Sequence, residues 1–228
     1  MKLEKKVVSH SISSQVYQLL KENIINLTLE PGTAISEKEI SDRLEVSRTP
    51  VREAFVRLVQ DDLLEVYPQK GTRVSLIDLK EVADARFIRE HLEKATYELV
   101  CLKIKDLQIQ ELKENIEQQM KSVTEQRFAD FFKWDEAFHH LIVEISGNQK
   151  IWPAIQRVDA HLKRIRVLSL INEEKSQVII QEHIHLLQAL ENRDAVKAIH
   201  LLEDHVNQLT KEEETLKQQR PHYFSISS

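Results

Sequence analysis

Helical spacing singles out three histidines and one aspartate. In "FFKWDEAFHHLIVEI", Asp135 and His139 are four residues apart and share a face, flanked by Phe131, Phe138 and Ile142. His140 falls with Glu136 and Glu144 and reads as solvated. His183 aligns with Ile179, Ile180, Leu187 and Leu190, whereas His185 aligns with Gln181 and Gln188. His205 aligns with Ala198, Leu201, Leu202 and Leu209, and His200 with Lys197, Glu203 and Asp204. Four polar groups thus point inward from three predicted helices. Burying imidazoles without partners is costly. A divalent cation satisfies several at once: zinc first, with nickel, manganese and iron also taking N and O donors. Helix bundles build such sites from facing helices. Taken singly, each histidine is better read as a hydrogen-bonded core residue; it is the set that points to a metal.

A second stretch, "VSRTPVREAFVRL" from Val46 to Leu58, carries three arginines. Val51, Phe55, Leu58 and Val59 form its inward face, and Arg48 and Arg52, four apart, share another. Ser47 and Thr49 sit at the helix start, where hydroxyls and free N–H groups meet phosphate. An arginine that grips guanine O6 and N7 is worth roughly 1–3 kcal/mol of discrimination. A merely solvated arginine face is the alternative. Against it stand the preceding "ISEKEISDRL", with Ser36 and Glu39 at capping-box spacing, and a short turn between the helices. Charge distribution agrees. The net charge is -5, but residues 1–76 hold eleven basic and eleven acidic residues, so the excess lies in the remainder, with 21 and 26.

The elements that must position these residues follow from punctuation. There are only three glycines and five prolines, and none of either between Ser75 and Ser146. The chain is therefore mainly α. Residues 1–77 read as a winged helix-turn-helix: three helices, then a two-stranded wing in which Leu64, Val66, Val74 and Leu76 alternate around a Pro/Gly turn. Residues 78–228 read as an all-helical bundle, a domain for effector binding and dimerisation. Six helices are predicted. The first carries a stripe of Ile88, Leu92, Ala95 and Leu99; the fourth runs unbroken from Pro153 to about Leu170, and the last to about Gln218. "PHYFSISS" reads as a loose tail. The first ten residues lack the apolar core of a signal peptide, and no run is long enough to span a membrane. Cys101, the only cysteine, excludes an internal disulfide and fits a reducing cytoplasm.

Residues 11–76 resemble the GntR family of bacterial winged-helix repressors, most specifically in "VSRTPVREAFVRLVQDDLL" and "LEPGTAISEKEISDRL". The resemblance implies DNA contacts at Lys38, Arg48, Thr49, Arg52 and the wing tip, Lys70 and Gly71, with Ser47 and Arg57 as further candidates. Many relatives carry glycine where this chain has Glu45. Residues 78–210 resemble the FCD effector domain of the FadR-like branch, in "RFIREHLE", "WDEAFHHLIVEISGN", "HLKRIRVLSL" and "EHIHLLQALENRDAVKAIHLLEDHV". This resemblance implies a divalent metal on Asp135, His139, His183 and His205, the same four residues the helix faces select. It also implies a small organic acid effector held by Arg89, with Arg164 or Arg166 lining the cavity. A surface ion pair explains Arg166 equally well, and Glu93 reads as structural.

The function expected from all this is that of a metabolite-responsive repressor acting as a homodimer on a pseudo-palindromic double-stranded DNA operator. Two other classes compete. A direct metal sensor needs no organic ligand. A metal-dependent hydrolase needs a general base, and Glu136 points away from the site.

Overall fold

The computed structural model describes residues 11–170 and 173–225. The leader expectation concerns residues 1–10, which lie outside them. The chain divides into two compact units between Leu76 and Ile77.

In the first unit, α1 (Ile12–Ile25) packs on α3 (Arg48–Gln60), and α2 (Glu37–Leu44) packs on α3 from its other end. The shared core holds Leu20, Ile24, Val51, Phe55 and Leu58, with Ala54 in place of the half-buried Val59. The Ser36 hydroxyl accepts from the Glu39 N–H at 3.1 Å, fixing the start of α2. Its end is set by Glu45, which adopts the left-handed conformation at φ 53°. That backbone position is one that favours glycine. The two-stranded wing is present as a hairpin, and a third, unpredicted strand joins it. A short β1 (Ala34–Ile35) joins β2 (Leu64–Tyr67) and β3 (Gly71–Val74) in an antiparallel sheet of order β1-β3-β2. Two residues carry too little alternation to read as a strand.

In the second unit, α4 (Leu79–Lys103) runs through a bundle of α5 (Asp106–Thr124), α6 (Phe128–Ser146), α7 (Ile151–Val158), α8 (Ala160–Ser169), α9 (Glu173–Glu191) and α10 (Ala195–Asn207). Gly147, at φ 78°, ends α6 in the left-handed region where a Cβ is strained. The helix predicted after Pro153 is two helices. Pro153 sits in the first turn of α7, and the chain breaks at Asp159, whose buried carboxylate meets Lys163 at 3.0 Å. The last predicted helix also breaks. Asn207 donates to the Glu203 carbonyl at 2.9 Å, competing with the helix ladder, and a 3-10 turn over Gln208–Lys211 leads into α11 (Glu213–Gln219).

Two further expectations are corrected. On α4 the stripe of Ile88, Leu92, Ala95 and Leu99 is only half-buried or exposed. The buried stripe is Val82, Ala85, Arg89, Glu93, Thr96 and Val100, because an ion pair occupies its middle. The tail is not loose through Ser225. The Ile77 N–H donates to the Tyr223 carbonyl at 2.8 Å, and the Ser225 N–H to the Ile77 carbonyl at 2.9 Å. Tyr223 and Phe224 are buried there.

Candidate functional site

The first unit offers one exposed polar face. Arg48, Thr49 and Arg52 are exposed on α3, Lys38 on α2, and Lys70 and Gly71 at the hairpin tip. Ser47 precedes α3 in extended backbone and makes no side-chain cap, so the first N–H groups of α3 remain for solvent or phosphate. Arg57 does not join this face. It lies nine residues after Arg48, about half a turn round the helix. There its guanidinium stacks 3.8 Å from the Tyr17 ring centroid and reaches the Ser14 hydroxyl.

In the second unit, α6 brings Asp135 and His139, α9 brings His183 and α10 brings His205. One ligand atom from each lies within 4.8 Å of the others. Each imidazole is oriented through Nδ1: His139 donates to Glu93 Oε2 at 2.9 Å, His205 to Glu182 Oε2 at 2.7 Å, and His183 to Gln119 Oε1 at 2.8 Å. Gln119 presents its oxygen because its amide N–H₂ donates to Asn115 at 2.7 Å. With the proton on Nδ1, the Nε2 atom of each neutral ring carries a lone pair. Burial pushes His139 below the ordinary imidazole range despite the nearby Glu93. Burial, then the rings of His205 and His139, push His183 well below it.

The donor set fits a metal on geometry. His139 Nε2 and His205 Nε2 face each other at 3.2 Å. His183 Nε2 is buried with no hydrogen-bond partner. Two nitrogens about 2.1 Å from one tetrahedral ion stand about 3.4 Å apart. Convergent lone pairs on buried rings, each backed by an acceptor on the far nitrogen, are the arrangement a cation resolves. Glu93, Gln119 and Glu182 were not predicted as supporting groups. Only Glu93 had a visible signal, its i,i+4 spacing from Arg89.

A cavity of about 330 Å³ opens beside these residues, with Arg89, Asp135, Arg166 and His205 in its wall. Arg89 is buried. Its Nε donates to Glu93 at 2.6 Å, Nη1 lies 3.8 Å from Glu136, and Nη2 has no partner. Arg166 donates to both Asp135 and Glu136. It is therefore both an ion-pair residue and a cavity residue. Arg164 is not among the lining residues: it is buried with Nη2 3.0 Å from His161 Nδ1, which also accepts from the Asp78 N–H at 2.9 Å. Glu136 is not on a solvated face. Burial alone raises its carboxyl, but Lys163 at 2.8 Å, Arg166 and Arg89 outweigh this and hold it well below the usual carboxylate range. A carboxylate so saturated with donors is a poor general base.

A winged helix-turn-helix in one chain with an all-helical bundle is the architecture of a DNA-binding transcriptional regulator. Residues 12–74 match the bacterial regulatory proteins of the gntR family, and residues 84–208 match the FCD domain. The chain belongs to the GntR family of transcriptional regulators and carries an FCD domain. It is 30% identical to the HTH-type transcriptional repressor RspR of Escherichia coli K12, over 94% of each chain. It is 28% identical to the Nta operon transcriptional regulator of Aminobacter aminovorans, over 74% of this chain and 79% of that one. Among solved structures, E. coli McbR/YncC shares the fold with a TM-score of 0.77 at 24% identity, covering 92% of this chain and 98% of that one. The two relatives matched by sequence are a transcriptional repressor and an operon transcriptional regulator, not enzymes. Among the described residues no helix is long and apolar enough to cross a membrane.

Proposed function

We propose that this regulator is a cytoplasmic repressor whose grip on a pseudo-palindromic operator is set by a small carboxylate bound beside a divalent metal. The observation that carries this reading is the convergence of three imidazoles and the Asp135 carboxylate at the edge of a cavity whose lining includes Arg89, a buried arginine with one nitrogen, Nη2, that has no hydrogen-bond partner. Asp135, His139, His183 and His205 hold the ion, zinc first, with nickel, manganese or iron as alternatives. When bound, the ion would supply Lewis acidity, and it would take an oxygen ligand by expanding beyond its four protein ligands to five- or six-coordination. Arg89 and Arg166 orient the carboxylate. On the DNA side, Arg48, Thr49 and Arg52 read base edges, while Lys38, Ser47, Lys70 and Gly71 position the phosphate backbone. A homodimer follows from the need for two half-sites, since one recognition helix reads too few base pairs.

A ligand shifts operator affinity only through unequal affinity for two states. Fluorescence anisotropy on operator DNA, with metal-free, zinc-loaded and zinc-plus-carboxylate protein, tests the reading. A change that requires the carboxylate supports it. A full change on zinc alone makes the protein a direct metal sensor. Identical affinity in all three states removes the effector role.

A further inference from the structure

The cavity is not uniform along its length, and its polarity selects among carboxylates. This inference rests on the proposed effector role and narrows it. One wall is a face of α8: Leu162, Arg166, Ser169 and Leu170 recur at helical spacing. The other is a face of α9, where Glu182 lies at the His205 end, Val178 and Ile179 in the middle, and Lys175 and Glu174 at the opposite end. The cavity therefore has a cationic end at Arg89 and Arg166, an apolar waist, and a second polar end. Three residues of α8 separate Arg166 from Ser169 and seven residues of α9 separate Lys175 from Glu182, so the ends are about 5–10 Å apart.

The second end centres on Glu212. Lys175 Nζ donates to Glu212 Oε2 at 2.7 Å, and the Ser169 hydroxyl donates to the same oxygen. The other carboxylate oxygen, Oε1, accepts from no described residue. Glu174 also lines this end. A second carboxylate on the ligand would have to take Lys175 from Glu212 and face the acid it displaced. A hydrogen-bond donor meets an available acceptor instead, and a charge-assisted bond of this kind is among the stronger ones.

We propose that the effector has two unlike ends: a carboxylate at Arg89 and Arg166, and a hydrogen-bond-donating ammonium or hydroxyl group at Glu212, joined by a short apolar stretch. Glu212 is then the residue that discriminates such acids from dicarboxylates.

Titration calorimetry on the zinc-loaded, full-length protein with pentanoate, 5-aminopentanoate, 5-hydroxypentanoate and glutarate tests this. One of the two donor-bearing acids binds at least about tenfold tighter than pentanoate and glutarate; which of the two leads tells ammonium from hydroxyl. Glu212→Gln brings the four within about threefold of one another while pentanoate affinity stays as it was. Lys175→Gln, at a partly exposed position, raises affinity for 5-aminopentanoate. Glutarate binding as tightly as either donor-bearing acid overturns the proposal. So does a donor preference that survives Glu212→Gln. Failure of the underlying reading looks different: the four acids then bind weakly or not at all, and Arg89→Ala changes nothing.

Discussion

His183 Nε2 lies 3.7 Å from Asp135 Oδ1, buried, with no hydrogen-bond partner of its own. A polar nitrogen left in that state costs free energy unless something else binds it. The nearby His139 and His205 lone pairs raise the cost further.

His183→Ala should therefore lower bound metal well below the near one ion per chain expected of the native protein. Zinc at about a hundredfold its Kd stabilises a single-site protein by about 2.7 kcal/mol. That increment should disappear in the variant. Elemental analysis and thermal melts with and without zinc check this, and equal metal content in both proteins would remove His183 from the ligand set.

Gln119 is not itself a proposed metal ligand but accepts the His183 Nδ1 proton at 2.8 Å. Gln119→Met keeps similar bulk and removes the acceptor. Outer partners of this kind are worth about 10–100-fold in metal affinity. Competition with a chelating dye should show a loss of that order with all four ligands retained. Unchanged affinity would mean that the ring is oriented by packing on Phe138 alone, which stacks on it at 4.3 Å.

The convergence of Asp135, His139, His183 and His205 was legible in the sequence because i,i+4 spacing and apolar flanks are local signals. The same signals failed on α4. The apolar stripe of Ile88, Leu92, Ala95 and Leu99 was read as the buried one, yet the buried face carries the charged pair Arg89 and Glu93, which neutralise each other at 2.6 Å inside the bundle. Pairing across elements has no local signature. Glu182 and Gln119 were invisible for that reason, as were the break at Asp159 and the docking of Phe224. α3 was legible as an element, and Arg57 was a further candidate beside Arg48 and Arg52; its stacking on Tyr17 has no signature near α3.

Arg52 and Arg57 should separate under substitution. Arg52→Ala should weaken specific operator binding by roughly 1–3 kcal/mol and leave the melting temperature unchanged. Arg57→Ala removes a cation–π contact to Tyr17, worth about 0.5–2 kcal/mol, and should lower stability while sparing operator specificity. Anisotropy with cognate and scrambled DNA, alongside thermal melts, distinguishes the two. If Arg57→Ala reduced specificity at full stability, the division of roles would be wrong.

Phe224 gives the most direct test of the C-terminal segment. A loose tail would tolerate Phe224→Ala within about 0.5 kcal/mol, as exposed positions do. Here Phe224 is 3% exposed and pairs in parallel with Ile77, whose N–H and carbonyl are both taken by the tail backbone. Removing a buried phenyl ring costs about 3–5 kcal/mol. Both tryptophans, Trp134 and Trp152, lie in the helical unit, so their fluorescence reports its unfolding separately from the DNA-reading unit. Urea titration of Phe224→Ala should move that transition to lower denaturant by an amount equivalent to several kcal/mol. A shift below about 0.5 kcal/mol would show that the segment contributes no packing energy to the bundle.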